Sequence, residues 1–432
     1  MINKIIDKIK DKKILILGFG REGKTTYSFI RKYLKDQKLT ILDENKVDYD
    51  LDTNTELLIK KINHDTLYGY DLIFKSPGIS LKDIDTSDLN ITSQLEMLLE
   101  VNRNNIIGIT GTKGKSTTSS LIYSVIKNFK DNVYLLGNIG VPVFEMIDNF
   151  DEDTTLVLEC SSHQLEFVKC SPHISILLNL HPEHLDHYLS LEHYYNAKLN
   201  IFKYQNELDY ILFDSSISNY IDNDVTNKIE INKDIFIEDG FVYIRKGNIN
   251  LKVYDTRSER KLLGDHNLNN ILFVLMVVDT LGLDMEESVE VINNFKPLEH
   301  RMEYVGKYNG IDFYNDSIAT IPDATINCVN ALKNVDTLIV GGNDRGLDYS
   351  TLVDFINNSD IDNVICLPKT GHDFYDLIEK NKYKVDTLDE AVTIAKKVTK
   401  KICVLSPAAT SYGFFKNFEE RGKIYKELVR RD

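Results

Sequence analysis

The chain has 432 residues and carries 51 Lys and Arg against 66 Asp and Glu, a formal net charge of −15; that balance excludes a general nucleic-acid binder, which needs a basic surface to displace counterions. The length exceeds what one core sustains, and 42% hydrophobic with 27% charged residues predicts a soluble globular protein of two to three domains. Cys160, Cys170, Cys328, Cys366 and Cys403 show no metal-ligand spacing or disulfide framework, and the N-terminal apolar run is too short for a signal segment or a membrane span, so a cytoplasmic enzyme without membrane insertion is expected.

Strand and helix patterns alternate for nearly the whole length, which predicts an α/β fold with largely parallel sheets. A strand over 13–17, a helix over 24–34 and a strand over 39–42 open a first unit that closes near Leu98. Between them Gly18-Phe19-Gly20-Arg21-Glu22-Gly23 fits G-x-G-x-x-G, and Asp43 ends the next strand. The physical reading is a diphosphate seated at the positive end of the helix, with Asp43 accepting hydrogen bonds from a sugar or base. A turn without a ligand and a dehydrogenase site share this pattern. Ser76 and Gly78, in the turn after Lys75, offer hydroxyl or backbone contacts, and alone they read as a bland turn.

The central unit opens with Gly108-Ile109-Thr110-Gly111-Thr112-Lys113-Gly114-Lys115-Ser116-Thr117, placed between a short apolar strand and a helix over 117–127. Gly111 and Gly114 let the backbone turn its N–H groups toward phosphate, Lys115 supplies a cation for the β- and γ-phosphates, and Ser116 or Thr117 can hold Mg²⁺. Ile109 stands where the usual spacing has its first glycine. Strands follow over 133–136, 155–158 and 174–178. Asn138 comes just after the first of these, and Glu159, at the end of the second, is a candidate ligand for the Mg²⁺ of MgATP. Ser161 and Gln164 are donors for anions or plain turn residues. The stretch from Asn179 to Tyr188 holds three histidines and two carboxylates without zinc spacing, which leaves one histidine for a second metal or for a surface role. Lys198, on a helix over 191–202, reads from spacing as a solvated lysine. A strand-rich insertion over 210–263 includes a hairpin around Lys246-Gly247-Asn248. A last α/β unit begins near Arg301, with strands over 337–340, 364–367 and 402–405.

Taken in order, GFGREG, SPGIS, GTKGKST, GNIG, LECSSHQLE, HPEHLDHY, YYNAKLNIF, GDHNLNN, EHRMEYV, NDSIAT, GGNDRG and SPAATSYGFFKNFEERG closely resemble the Mur ligases, the ATP-dependent amide-forming enzymes of peptidoglycan precursor synthesis. No single segment is decisive; their order along almost the whole chain is specific. The resemblance implies an N-terminal Rossmann-like domain over 1–98 for a UDP-linked substrate, a central P-loop ATPase-like mononucleotide-binding domain over 99–300, and a C-terminal Rossmann-like domain over 301–432 for an amino acid. It implies a monomer that joins D-glutamate to UDP-N-acetylmuramoyl-L-alanine through an acyl phosphate, giving ADP and phosphate. A related ligase using another amino acid, such as L-glutamate, is the alternative. The family shares the short phosphate loop, so Ile109 conforms to it.

The same resemblance implies roles residue by residue. Gly111, Thr112, Lys113, Gly114, Lys115, Ser116, Thr117, Asn267, Asn270, Arg301 and Asp316 would surround ATP, with Asp316 at the ribose. Gly20, Arg21, Glu22, Asp43, Ser76, Gly78, Asn138, Ser161 and Gln164 would take the UDP substrate. Lys198 would be carbamylated and, with His184, hold one Mg²⁺, while Glu159 and Ser116 would hold the other; Lys115, His184 and Lys198 are the implied catalytic groups. Thr320, Arg345, Ser411 and Phe418 would bind the amino acid. The family usually has a lysine where this chain has Ile318, which removes one cation from that pocket. Lys416 and Arg421 read as a charged helix face.

Overall fold

The structure, a computed structural model, describes residues 1–138, 142–183, 187–221, 227–296, 299–343 and 347–431. Strands β1 (Ile14–Leu17), β2 (Leu39–Asp43), β3 (Thr55–Ile59), β4 (Leu72–Lys75) and β5 (Ile91–Thr92) form a parallel sheet in the order β3-β2-β1-β4-β5. All four residues of β1 are buried, because a central parallel strand is covered on both faces and must be apolar on both. The helix Arg21–Tyr33 starts directly at the end of the Gly-rich turn, three residues earlier than its apolar pattern suggests; Arg21 and Glu22 belong to its polar first turn.

The second sheet holds β6 (Ile106–Thr110), β7 (Val133–Gly137), β8 (Thr155–Glu159), β9 (Ile174–Leu177), β10 (Tyr210–Asp214), β11 (Asn227–Ile231), β12 (Ile235–Glu238), β13 (Phe241–Lys246) and β14 (Ile249–Asp255), in the order β14-β13-β12-β11-β10-β9-β6-β8-β7. β6 is buried throughout and pairs in parallel with β8 on one side and β9 on the other. The chain therefore crosses β6 between β8 and β9, and the crevice beyond the carboxyl ends of these strands is where such sheets bind ligands. The expected hairpin is β13–β14, antiparallel, turning at Gly247 with φ +62°. The helix Lys115–Phe129 packs on β7 and β8, and the helix Leu191–Lys203 packs under β6 and β9.

The third sheet holds β15 (Glu303–Tyr308), β16 (Ile311–Asn315), β17 (Val335–Gly342), β18 (Asn363–Lys369), β19 (Asn381–Lys384) and β20 (Ile402–Leu405), in the order β15-β16-β20-β17-β18-β19. Its central strand β17 is buried along all eight residues.

The chain divides into two compact units, Met1–Ser258 with Asn269–Ile292, and Glu259–Leu268 with Asn293–Asp432. The first two sheets share the first unit. Residue 98 lies inside the helix Gln94–Asn102, and one apolar cluster runs from Ile16 and Phe74 of the first sheet to Ile106 and Leu156 of the second. Phe29 stacks on Phe144 at 4.3 Å between ring centroids, a contact that adds about 1 kcal/mol beyond area burial. All five cysteines are free, and Cys170 alone among them is half-buried. Among the described residues no helix is long and apolar enough to cross a membrane.

Candidate active site

The phosphate loop is shaped by its glycines and by one asparagine. Gly111 has φ +149° and Gly114 φ +86°, and a Cβ at either would lie 2.9 Å from Leu178 Cβ or 2.7 Å from Asn270 Oδ1. Neither position admits a side chain. The amides of Thr112 and Lys113 donate to Asn179 Oδ1 at 3.0 and 2.8 Å, and Asn179 Nδ2 donates back to Lys113 O at 3.0 Å. Asn179, which sequence reasoning left without a role, thus clamps the loop; its only signal was a polar amide directly after the apolar run of β9. The helix begins at Lys115, whose Nζ arches back to donate to Gly111 O and Thr112 O at 2.8 and 2.9 Å. Ser116 is half-buried and Thr117 fully buried at the same helix entry.

Lys198 is the main departure from the sequence expectation. Rather than solvated, it is 2% exposed, because the face of its helix that carries Tyr194, Ala197, Lys198 and Ile201 is the one packed inward. Its Nζ donates to Gly111 O at 2.8 Å, so that one carbonyl receives both Lys198 and Lys115. The same Nζ stands 5.0 Å from the centroid of the Tyr194 ring. Burial, reinforced by the charge of Lys115, pushes the Lys198 pKa well below the usual lysine range. Tyr194 OH in turn lies 3.1 Å from Thr112 Oγ1.

Glu159, at the carboxyl end of β8, is 1% exposed. Asn138 Nδ2 donates to its Oε1 at 2.8 Å, while Oε2 is buried with no hydrogen-bond partner among the described residues. A buried carboxylate oxygen left unpaired is costly, and a hard divalent cation would satisfy it. The donor set therefore fits Mg²⁺. His184 lies outside the described residues.

The wall facing the first sheet is built by the Gly-rich turn. A Cβ on Gly23 would lie 2.2 Å from Gly18 O, whereas nothing comes within 4 Å of one on Gly20 or Gly78; the first closes the turn and the other two leave it open. Asp43 Oδ2 accepts from Phe19 N and Oδ1 from Asn45 N, both at 2.8 Å. Its carboxylate holds the turn rather than standing free. Ser76 Oγ donates to Gly18 O at 2.7 Å. Arg21 is exposed, with Glu145 at 3.9 Å. Glu22 is half-buried; desolvation raises its pKa, and its Oε1 accepts from Gln164 Nε2 at 2.9 Å. Ser161 caps the short helix of Gln164 by accepting from Gln164 N. Beside this bridge Glu166 Oε2 lies 3.2 Å from both Lys75 Nζ and His187 Nε2. These three residues, not anticipated from the sequence, join the strand end at Lys75 to the central segments that carry Glu166 and His187.

In the helix Asp265–Leu281, Asn270 belongs to the first unit, and its Oδ1 lies against Gly114 of the phosphate loop. Asn267 belongs to the second unit, is 2% exposed and donates to Leu263 O at 2.6 Å. Arg301 is half-buried in the same unit. Asp316 is interior: it receives Met302 N at 3.1 Å and Ser406 Oγ at 2.7 Å, and burial raises its pKa to about 6. Both oxygens serve as joints inside the unit. Ser411 is buried, Thr320 and Phe418 are half-buried, and Ser317 Oγ donates to Phe418 O at 2.8 Å. Arg345 lies outside the described residues. Arg421 corrects the expectation of a charged helix face, since it is 1% exposed.

A Gly-rich loop at the crossover of parallel strands, with a buried amine and a carboxylate oxygen left without a partner among the described residues, fits a nucleotide-dependent phosphoryl-transfer site. The chain belongs to the Mur ligase family. The family model for the Mur ligase middle domain matches residues 109–278, and that for the Mur ligase glutamate ligase domain matches 300–409. The chain is 33% identical over 454 aligned residues to the UDP-N-acetylmuramoylalanine–D-glutamate ligase of Thermoanaerobacter sp. (strain X514), covering 98% of this chain and 99% of the relative. It is 31% identical to the enzyme of the same name from Clostridium botulinum (strain Kyoto / Type A2), covering 99% of each. Among solved structures, MurF of Acinetobacter baumannii superposes with a TM-score of 0.62 at 13% identity, over 96% of this chain and 90% of that one. The UDP-N-acetylmuramate–alanine ligase of Thermotoga maritima gives 0.58 at 17%, over 96% and 98%. At such identity the structural likeness speaks for the fold, and it spans all three sheets.

Proposed function

We propose that this chain is an ATP-dependent ligase that adds D-glutamate to UDP-N-acetylmuramoyl-L-alanine in peptidoglycan precursor synthesis, releasing ADP and phosphate. The full-length likeness to ligases of that name carries the choice of reaction. In this reading the alanyl carboxylate attacks the γ-phosphorus of ATP; a carboxylate O–P bond forms and the bond to the ADP oxygen breaks. The amine of D-glutamate then attacks the acyl carbon, and the tetrahedral intermediate expels phosphate as the nitrogen gives up its proton.

Lys115 and the amides of the loop offset charge on the transferred phosphoryl group, mainly by positioning and electrostatics. Glu159 Oε2 and Ser116 would hold one Mg²⁺, with Asn138 fixing the other carboxylate oxygen. The ion supplies charge neutralisation at the phosphoryl oxygens. Lys198 would hold the second ion with His184, as a carbamate. The support for this is its burial and lowered pKa, which leave a neutral amine able to attack CO₂ and lose a proton. Gly20, Arg21, Ser76 and Gly78 would take the diphosphate, with Asp43 shaping the turn, and Thr320, Arg345, Ser411 and Phe418 would take the amino acid. Phosphate release measured with UDP-N-acetylmuramoyl-L-alanine, ATP and a panel of D- and L-amino acids tests the reading. Release and ligation that depend on D-glutamate are expected; ATP turnover indifferent to any amino acid, or a preference for L-glutamate, would overturn it.

A further inference from the structure

Arg421 stands in the first turn of the helix Phe418–Arg430, is 1% exposed, and among the described residues makes three hydrogen bonds, all to neutral oxygens. Nε donates to Ser317 Oγ at 3.0 Å, Nη2 to Ser317 O at 2.7 Å and Nη1 to Ala409 O at 3.1 Å. Ser317 Oγ passes the connection on to Phe418 O at 2.8 Å. The end of β17 passes the same group: a Cβ on Gly342, whose φ is +156°, would lie 3.3 Å from Arg421 Nη1 and 2.5 Å from Thr410 O. One planar fork therefore ties together the segment after β16, the loop after β20 and the start of the last helix, beside the end of β17. Those segments carry Thr320, Ser411 and Phe418. Beside the fork a cavity of about 600 Å³ has Thr410, Ser411, Phe415 and Arg421 in its lining, with Asp386 and Asp389 among its other residues. No carboxylate pairs with the guanidinium among the described residues, and the attraction it feels comes from Asp316, whose oxygens are taken by Met302 and Ser406.

We propose that Arg421 is the positioning residue of the amino-acid site, aligning Thr320, Ser411 and Phe418 through Ser317 and Ala409, and that its charge favours an acidic amino acid over a neutral one. A lysine could not replace it, since a point charge cannot make three divergent bonds in one plane. The inference rests on the ligase reading above, and wild type decides that reading first: if it ligates another amino acid, the same series is run with that one.

Steady-state ligation with ATP and UDP-N-acetylmuramoyl-L-alanine saturating is compared for wild type, Arg421→Lys, Arg421→Ala and Ser317→Ala. Arg421→Lys is expected to raise KM for D-glutamate about tenfold or more while leaving KM for the other two substrates within about twofold. Ser317→Ala, which removes only Oγ, moves the same parameter by about threefold. Added guanidinium ion restores part of the D-glutamate affinity of Arg421→Ala. A rise shared by all three substrates, a fall in kcat alone, or unchanged KM for D-glutamate would overturn the proposal. Should the Arg421 variants not melt cooperatively, Ser317→Ala decides by the same split.

Discussion

Each compact unit buries a basic side chain that, among the described residues, has no carboxylate partner within salt-bridge distance, and the two differ in what they can do with their protons. Lys198 hangs from a loop carbonyl in the first unit and is pushed far down toward its neutral form. Arg421 in the second unit is also penalised by burial, yet its pKa falls only to about 10 and it stays charged at neutral pH. A buried amine sheds its proton and becomes a nucleophile; a buried guanidinium keeps its charge and spends it on geometry. The contrast fits the assigned tasks: chemistry beside the triphosphate, alignment beside the amino acid.

The most severe way to break this contrast is to give the first site the second site's cation. Lys198→Arg and Lys198→Ala should each lose about 10³-fold in kcat, a scale reached when a group facing the transferring charge is removed, and short carboxylates should partly restore only the alanine variant. Full activity of unrescued Lys198→Ala would falsify the carbamate assignment. Glu159→Gln should cost about 100-fold in activity through weaker metal binding, while the melting temperature without nucleotide changes little, because the amide oxygen still accepts from Asn138 and one partnerless polar atom replaces another. A melting temperature that drops with activity would assign Glu159 to the fold instead.

On the other side of the comparison, Gly342→Ala should destabilise by about 2 kcal/mol, since both its φ and the contact with Thr410 O forbid a Cβ, whereas Gly20→Ala, with open space around it, should stay within about 0.5 kcal/mol. Denaturant titration separates the two, and equal losses would contradict the packing described for the end of β17. The smallest effect concerns Glu96, a buried carboxylate away from both cations. Burial raises its pKa from 4.5 in the unfolded reference to about 7, against two bonds from Lys169 N. Because the folded state holds its proton more tightly, wild type gains stability as pH falls from about 7 toward 4.5. Glu96→Gln should therefore melt roughly 2–4 °C above wild type at pH 8, with the advantage shrinking by pH 4.5; a gap that does not change with pH would remove Glu96 as the titrating group.

Local chemistry was legible where it depends on neighbours in the chain. The loop glycines, Lys115 and the helix that follows could be read directly, because φ beyond the reach of other residues and an N-terminal anion seat are properties of a few consecutive positions. Asp43 and Glu22 could be singled out from their places in the chain, but their bonds to Phe19, Asn45 and Gln164 were not visible. Gln164 comes 142 residues after Glu22, and no spacing rule connects them. The same holds for Asn179 on the phosphate loop and for Lys75, Glu166 and His187 between the first two sheets.

The sequence by itself determined the alternation of strands and helices, the place and form of the phosphate loop, and, through the order of its motifs, the family. Only the tertiary structure decided which charges are buried. Lys198 and Arg421 both sit in polar-looking helices, and periodicity reports which face a helix prefers to bury, not which long side chain is drawn beneath a loop. Whether a lysine loses its proton or an arginine keeps its own depends on the water excluded by segments far away in the chain, and that is a property of packing.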